Sequence, residues 1–71
     1  MSEPVINEIK KLLSIATDMD LDNGLRSNAI KSLGNIGTRD SLLALLELVA
    51  NESLTSNERK LALKQAERNI R

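Results

Sequence analysis

The chain repeats itself at a spacing of 33 residues, and this constrains the fold more than any other feature. Residues 9–31 laid over residues 42–64 give six identities in 23 positions: Leu12/Leu45, Leu13/Leu46, Leu21/Leu54, Arg26/Arg59, Ala29/Ala62 and Lys31/Lys64. Four further positions stay apolar: Ile9/Leu42, Ile15/Leu48, Ala16/Val49 and Ile30/Leu63. About one or two identities would arise by chance, so the offset is a repeat period. A period of that length describes one supersecondary unit, copied and stacked on itself.

Four helices can be placed along the chain. The first is predicted from Ser2 to about Thr17, with Ser2 as N-cap, Glu3 at the positive end of the helix dipole and Pro4 in the first turn. Val5, Ile6, Ile9, Leu12, Leu13 and Ala16 form its apolar stripe. Residues 18–24, rich in Asp, Asn and Gly, read as a turn. The second helix runs from about Asn23 or Gly24 to Ile36, with Leu25, Ala29, Ile30, Leu33 and Ile36 as its apolar positions. Gly37 stands where a left-handed residue stops a helix. Gly34 lies inside the helix, where glycine costs about 1 kcal/mol relative to alanine, and implies close approach by a neighbour.

The third helix opens at Thr38 or Asp40, ends near Asn51, and is apolar nearly all round, with Glu47 as the interruption. Such a helix is expected to be buried on most sides. The fourth starts at Thr55, with Glu58 at capping-box spacing, and continues through Leu61, Ala62, Leu63, Ala66 and Ile70. Leu21 and Leu54, one in each linker, are expected to plug the gap under the turns. Short connections make neighbouring helices antiparallel. The repeat then pairs the first helix with the third and the second with the fourth, in two layers.

The run from Leu25 to Gly37, followed by Asp40 and by Leu42, Leu43, Ala44, Leu45 and Leu46, resembles a HEAT repeat, and more narrowly the HEAT-like type named after phycobilisome lyases. The matching positions are Arg26, Ala29, Leu33, Gly34, Ile36, Gly37, Asp40, Leu42, Leu45 and Leu46. The second copy keeps Arg59, Ala62 and Leu63 but has Glu67 where the glycine would stand. The resemblance implies an all-α fold: four antiparallel helices in two layers, a short HEAT-like α-solenoid stacked as a right-handed superhelix. It implies one domain over residues 1–71, with one full repeat flanked by two half repeats. It also implies that Arg26, and more weakly Arg59, lies in the stack and contacts an acidic residue near a turn. Asp40 is the candidate partner. The repeat by itself gives Arg26, Ala29, Leu33, Gly34, Gly37, Asp40, Arg59 and Ala62 structural roles.

Composition excludes more chemistry than it suggests. The chain has no His and no Cys, which removes the commonest general base, the commonest zinc ligand and any disulfide. No serine stands in a nucleophile-elbow pattern, and Gly34 and Gly37 do not form a phosphate-binding loop. Residues 18–29 approach an EF-hand loop, but Gly24 comes one place late and Ala29 stands where the bidentate Glu belongs. A solvated turn that caps the next helix fits them better. The expectation is therefore no enzyme activity, no metal and no cofactor. The family name suggests lyase activity, but a repeat describes shape, not chemistry.

Ten basic and ten acidic residues cancel, and there is no Phe, Tyr or Trp. A nucleic-acid binder would be expected to be basic and to carry aromatics that stack on bases. The charges are segregated: residues 1–22 carry −3 and residues 59–71 carry +4. Acidic front and basic rear could attract each other between copies stacked head to tail, or simply form solvated ends. No segment reaches the roughly 18 apolar residues of a transmembrane helix, and the start lacks a signal-peptide pattern, so a cytoplasmic location is expected.

The expected function is protein–protein interaction, as a scaffold or adaptor with an unidentified protein partner. Lys10, Leu43, Glu47 and Ala50 are the candidate contact residues, on the face of the first and third helices. Leu43 and Leu48 are expected to be left over once the core is filled, unless both pack against neighbouring helices. Repeat proteins normally stack three or more repeats, so dimerisation or docking on a larger protein is expected. The alternative, by family analogy, is a small regulatory or accessory subunit of an enzyme or pigment–protein complex.

Overall fold

A computed structural model describes residues 3–70, with side chains from Ile6 onward. Four α-helices are present among them: α1 (Glu3–Ala16), α2 (Asn23–Ile36), α3 (Arg39–Ala50) and α4 (Ser56–Ile70). The described residues contain no strand. The roles assigned to Ser2 and to the side chains of Glu3, Pro4 and Val5 lie outside the described residues, as does Arg71.

Local chemistry sets each boundary. Asp22 caps α2 by accepting the Leu25 backbone N–H at 2.9 Å. Gly37 ends the helix at φ 70°. A Cβ there would meet nothing closer than Asn69 Oδ1 at 3.8 Å, so replacement strains the backbone alone. Gly37→Ala should therefore cost about 1 kcal/mol, and Gly37→Asn less, because Asn tolerates the left-handed region. Urea unfolding followed by helical circular dichroism checks this; an alanine variant as stable as the parent would contradict it.

The start of α3 falls at Thr38. Its hydroxyl accepts the Ser41 N–H at 3.1 Å, and the Ser41 hydroxyl accepts the Thr38 N–H at 3.0 Å. Thr55 and Glu58 do the same for α4, at 3.2 Å to the Thr55 hydroxyl and 3.0 Å to the Glu58 carboxylate. Each reciprocal pair satisfies two otherwise orphan N–H groups.

Helix α2 packs against all three other helices, α3 packs against α4, and α1 also reaches α3; α1 and α4 do not meet. Helices α2 and α4 run parallel, because Arg26 meets Glu58 at their starts while Asn69 reaches the Gly34 carbonyl near their ends. Ile30, Leu33, Leu45 and Leu48 are fully buried at the centre, with Ala16, Ala62 and Ala66 filling the narrow spaces between backbones. Leu54 is buried under its turn and Leu21 is half-buried.

Several apolar positions depart from expectation. Leu48 is not left over: with Ser41, Ala44 and Leu45 it forms the buried stripe of α3 at i, i+3, i+4, i+7 spacing. Leu43 lies off that stripe and is 49% exposed, and so does Leu46, at 40%. Helix α3 is thus buried on one side only. Leu25, Leu63 and Ile70 belong to the apolar pattern of their helices but are 48%, 42% and 62% exposed. On α4 the buried stripe is Glu58, Ala62, Gln65 and Ala66, so the helix hides two polar residues and two alanines while Leu63 and Ile70 face out and Leu61 packs half-buried against the core.

Candidate functional site

The most organised chemistry in the molecule lies between α2 and α4. Arg26 donates from Nε to Glu58 Oε2 at 2.9 Å and from Nη1 to the Leu21 carbonyl, and its Nη2 stands 2.9 Å from the same Oε2 as an ion pair. The side chains are 10% and 1% exposed, and no buried polar side-chain atom among the described residues lacks a partner. Glu58 serves two structures with one carboxylate. Oε1 closes the α4 capping box and Oε2 neutralises Arg26. Each guanidinium nitrogen is engaged with Glu58 or the Leu21 carbonyl, so this arginine holds parts together.

This pair corrects the expectation for Asp40. Asp40 is exposed in the first turn of α3, where a carboxylate favours the helix dipole, and Arg26 turns to Glu58 instead. The reason is the parallel alignment of α2 and α4, which places the first turn of α4 beside the first turn of α2. Arg59, the repeat counterpart of Arg26, donates from Nε to the Val49 carbonyl at 2.7 Å. Among the described residues Arg26–Glu58 is the one ion pair.

The remaining repeat positions occupy the same junction. Ala29, Leu33 and Ala62 are in the core. Gly34 faces Gln65 closely enough that an added Cβ would collide with Gln65 Oε1 and would stand 2.9 Å from Gln65 Cβ. Sequence reasoning missed both Glu58 and Gln65 as buried groups. The 33-residue register held the signal: where helices of successive repeats lie parallel, a residue's neighbours are found near its own counterpart.

The four candidate contact residues, Lys10, Leu43, Glu47 and Ala50, are all exposed. Leu43, Glu47 and Ala50 share one side of α3 at i, i+4, i+7 spacing. Lys10 is the repeat counterpart of Leu43, so it takes the corresponding place on α1.

Two shallow grooves flank the junction. One, of about 220 Å³, lies between α3 and α4 and is lined by Val49, Ser56, Arg59, Lys60 and Leu63. The other, of about 360 Å³, lies between α1 and α2 and is lined by Glu8, Lys11, Leu12, Ser32 and Ile36. Neither gathers groups for acid–base or nucleophilic work.

The residues that approach an EF-hand pattern are engaged otherwise. Asp18 accepts the Asp20 N–H at 3.0 Å and Asp22 caps α2. Among the described residues no group of three acidic side chains is placed to hold a metal ion, and no helix is long and apolar enough to cross a membrane. Comparison with family models, with curated proteins and with solved structures finds no match to this chain.

Proposed function

We propose that this chain is a non-catalytic protein–protein interaction module, a scaffold or adaptor, folded as a short HEAT-like α-solenoid. In this reading α1 and α3 form one layer and α2 and α4 the other. The parallel run of α2 and α4, the contact of α1 with α3 and the separation of α1 from α4 support that arrangement. So does the thinnest dimension, 17 Å between Cα atoms, which is close to the roughly 14 Å expected for two packed helices.

The observation that carries the functional reading is the outer side of α3. Leu43 and Leu46 stand one turn apart, both about half exposed, beside Ala50 and Glu47. Contiguous exposed leucines on a rigid element, rimmed by a charge, are the pattern of a docking surface. In this reading the module works in the cytoplasm and takes a protein as its ligand rather than nucleic acid or membrane. An enzyme or pigment–protein complex that uses the chain as an accessory subunit would engage the same face.

A photo-reactive amino acid at position 43 tests this inside cells. Irradiation should join the chain to another polypeptide, and Glu47→Lys with Ala50→Glu should abolish the adduct. Equal yields from the same probe at the exposed position 64 would remove the α3 face as a specific surface.

A further inference from the structure

The 33-residue register gives the two grooves a meaning that their shapes alone do not. Shift the residues lining the α1–α2 groove forward by one repeat and they become Ser41, Ala44, Leu45, Gln65 and Asn69. The first four are buried and Asn69 is half-buried, so these are residues by which the second copy of the repeat meets the first. Shift the α3–α4 groove residues back by one repeat: Ser56 and Lys60 become the exposed Asn23 and the half-buried Ser27 at the rim, and Val49, Arg59 and Leu63 become Ala16, Arg26 and Ile30. The last three are buried where the first copy meets the second. Each groove is therefore one half of the internal junction with the other half missing.

We propose that the missing half is a second copy of this chain, stacked head to tail, with α3 and α4 of one copy against α1 and α2 of the next. The proposal deepens the interaction-module reading by naming a partner, and it uses the ends of the stack rather than the outer side of α3. Size complementarity supports it. Inside the chain Gly34 makes room for Gln65; in the transposed contact the large Glu67 takes the place of Gly34 and the small Ser32 takes the place of Gln65. Charge supports it as well. Asp22 takes the place of Thr55, one turn from the position of Glu58, and would approach the Arg59 and Lys60 end of the preceding copy. More broadly, a segment of −3 meets one of +4. The exposed Leu63 takes the place of the fully buried Ile30, and the exposed Ile15 that of Leu48. Covering both accounts for an α4 that buries alanines while showing leucine.

One position breaks the pattern and gives the sharpest test. Leu25 takes the place of Glu58, so Arg59 would meet a leucine where Arg26 meets a carboxylate. Leu25→Glu should restore the pair across the interface and tighten association on the order of tenfold. An ordinary apolar contact would be weakened by a charge at an exposed leucine.

Light scattering with refractive-index detection, across a concentration series, reads the outcome. The parent chain should grow in mass with concentration without stopping at a dimer, because head-to-tail contacts leave both ends open. Ile15→Glu and Leu63→Glu alter opposite ends at exposed positions, and circular dichroism confirms their folding. Each alone should be monomeric, and an equimolar mixture should form a heterodimer and stop there. A parent chain that is monomeric at every concentration overturns the proposal. So does one variant that associates like the parent, which would reveal a symmetric contact of like ends, and so does a Leu25→Glu variant that associates no better. None of these outcomes touches the photo-adduct expected at position 43, so the two readings fail separately.

Discussion

Glu58→Ala should unfold most of the protein at 25 °C. Removing the carboxylate leaves the Arg26 guanidinium 90% buried with the Leu21 carbonyl as its remaining partner. Breaking a buried pair in this way costs about 3–5 kcal/mol, because the remaining charge keeps its desolvation penalty and loses its compensation. The same substitution removes the acceptor for the Thr55 N–H, and lost capping adds roughly another 1 kcal/mol. A domain of this size with an aliphatic core holds only about 3–5 kcal/mol in total. Glu58→Gln keeps a capping oxygen and removes the charge, so it should be milder. Pairing it with Arg26→Met should recover most of the stability, since two uncharged groups leave nothing uncompensated. Circular dichroism at 222 nm with urea titration gives all four corners of the cycle. A Glu58→Ala loss below about 1 kcal/mol would mean that water reaches the pair and that it adds little to the junction.

How much of this was legible beforehand depends on the range of the interaction. Features set within one turn of a helix were readable: the Thr55 and Glu58 capping box, the stop at Gly37, and the run of α2 to Ile36. Each rests on groups three or four residues apart, where sequence spacing and spatial distance agree. The Arg26 partner was not readable in that way. Asp40 is 14 positions away in the chain and Glu58 is 32, yet the nearer one faces solvent. Glu58 already had a complete local explanation as a capping residue, and the sequence does not advertise that its second oxygen is available.

Leu48 departs from expectation for a related reason, whereas Leu43 lies outside as expected. Helix α3 carries eight apolar residues in its 12, so its pattern does not choose a face. What chooses is the neighbour: α2 and α4 take the stripe of Ala44, Leu45 and Leu48, and Leu43 and Leu46 are left outside. On α4 the apolar pattern includes Leu63 and Ile70, yet both are exposed. Parallel packing on α2 instead turned inward the face bearing Glu58, Ala62, Gln65 and Ala66, which the arginine pair and the Gly34 contact require.

Gly34→Ala tests that packing from the other direction. Alanine is the better helix former by about 1 kcal/mol, so at an exposed site the substitution would stabilise the protein. Here the new methyl would overlap Gln65 Oε1 and stand 2.8 Å from Gln65 Cδ and 2.9 Å from Gln65 Cβ. The amide can swing away, but the Cβ moves only with the backbone of α4. The two helices must separate, and Asn69 must release or stretch its 3.2 Å bond to the Gly34 carbonyl. Overpacking of this kind costs about 1–3 kcal/mol. Set against the gain in helix propensity, the net expectation is a loss of roughly 1 kcal/mol, a sizeable share of the stability of a domain this small. Gln65→Ala in the same chain clears the amide but leaves the Cβ, so it should rescue only part of the loss. Full rescue would place the whole conflict in the flexible end of Gln65, and the helices would then not be in backbone contact at Gly34. A Gly34→Ala variant more stable than the parent would show that α4 yields freely, and the Arg26–Glu58 pair a little over two turns away would then have to hold the junction without help from close packing.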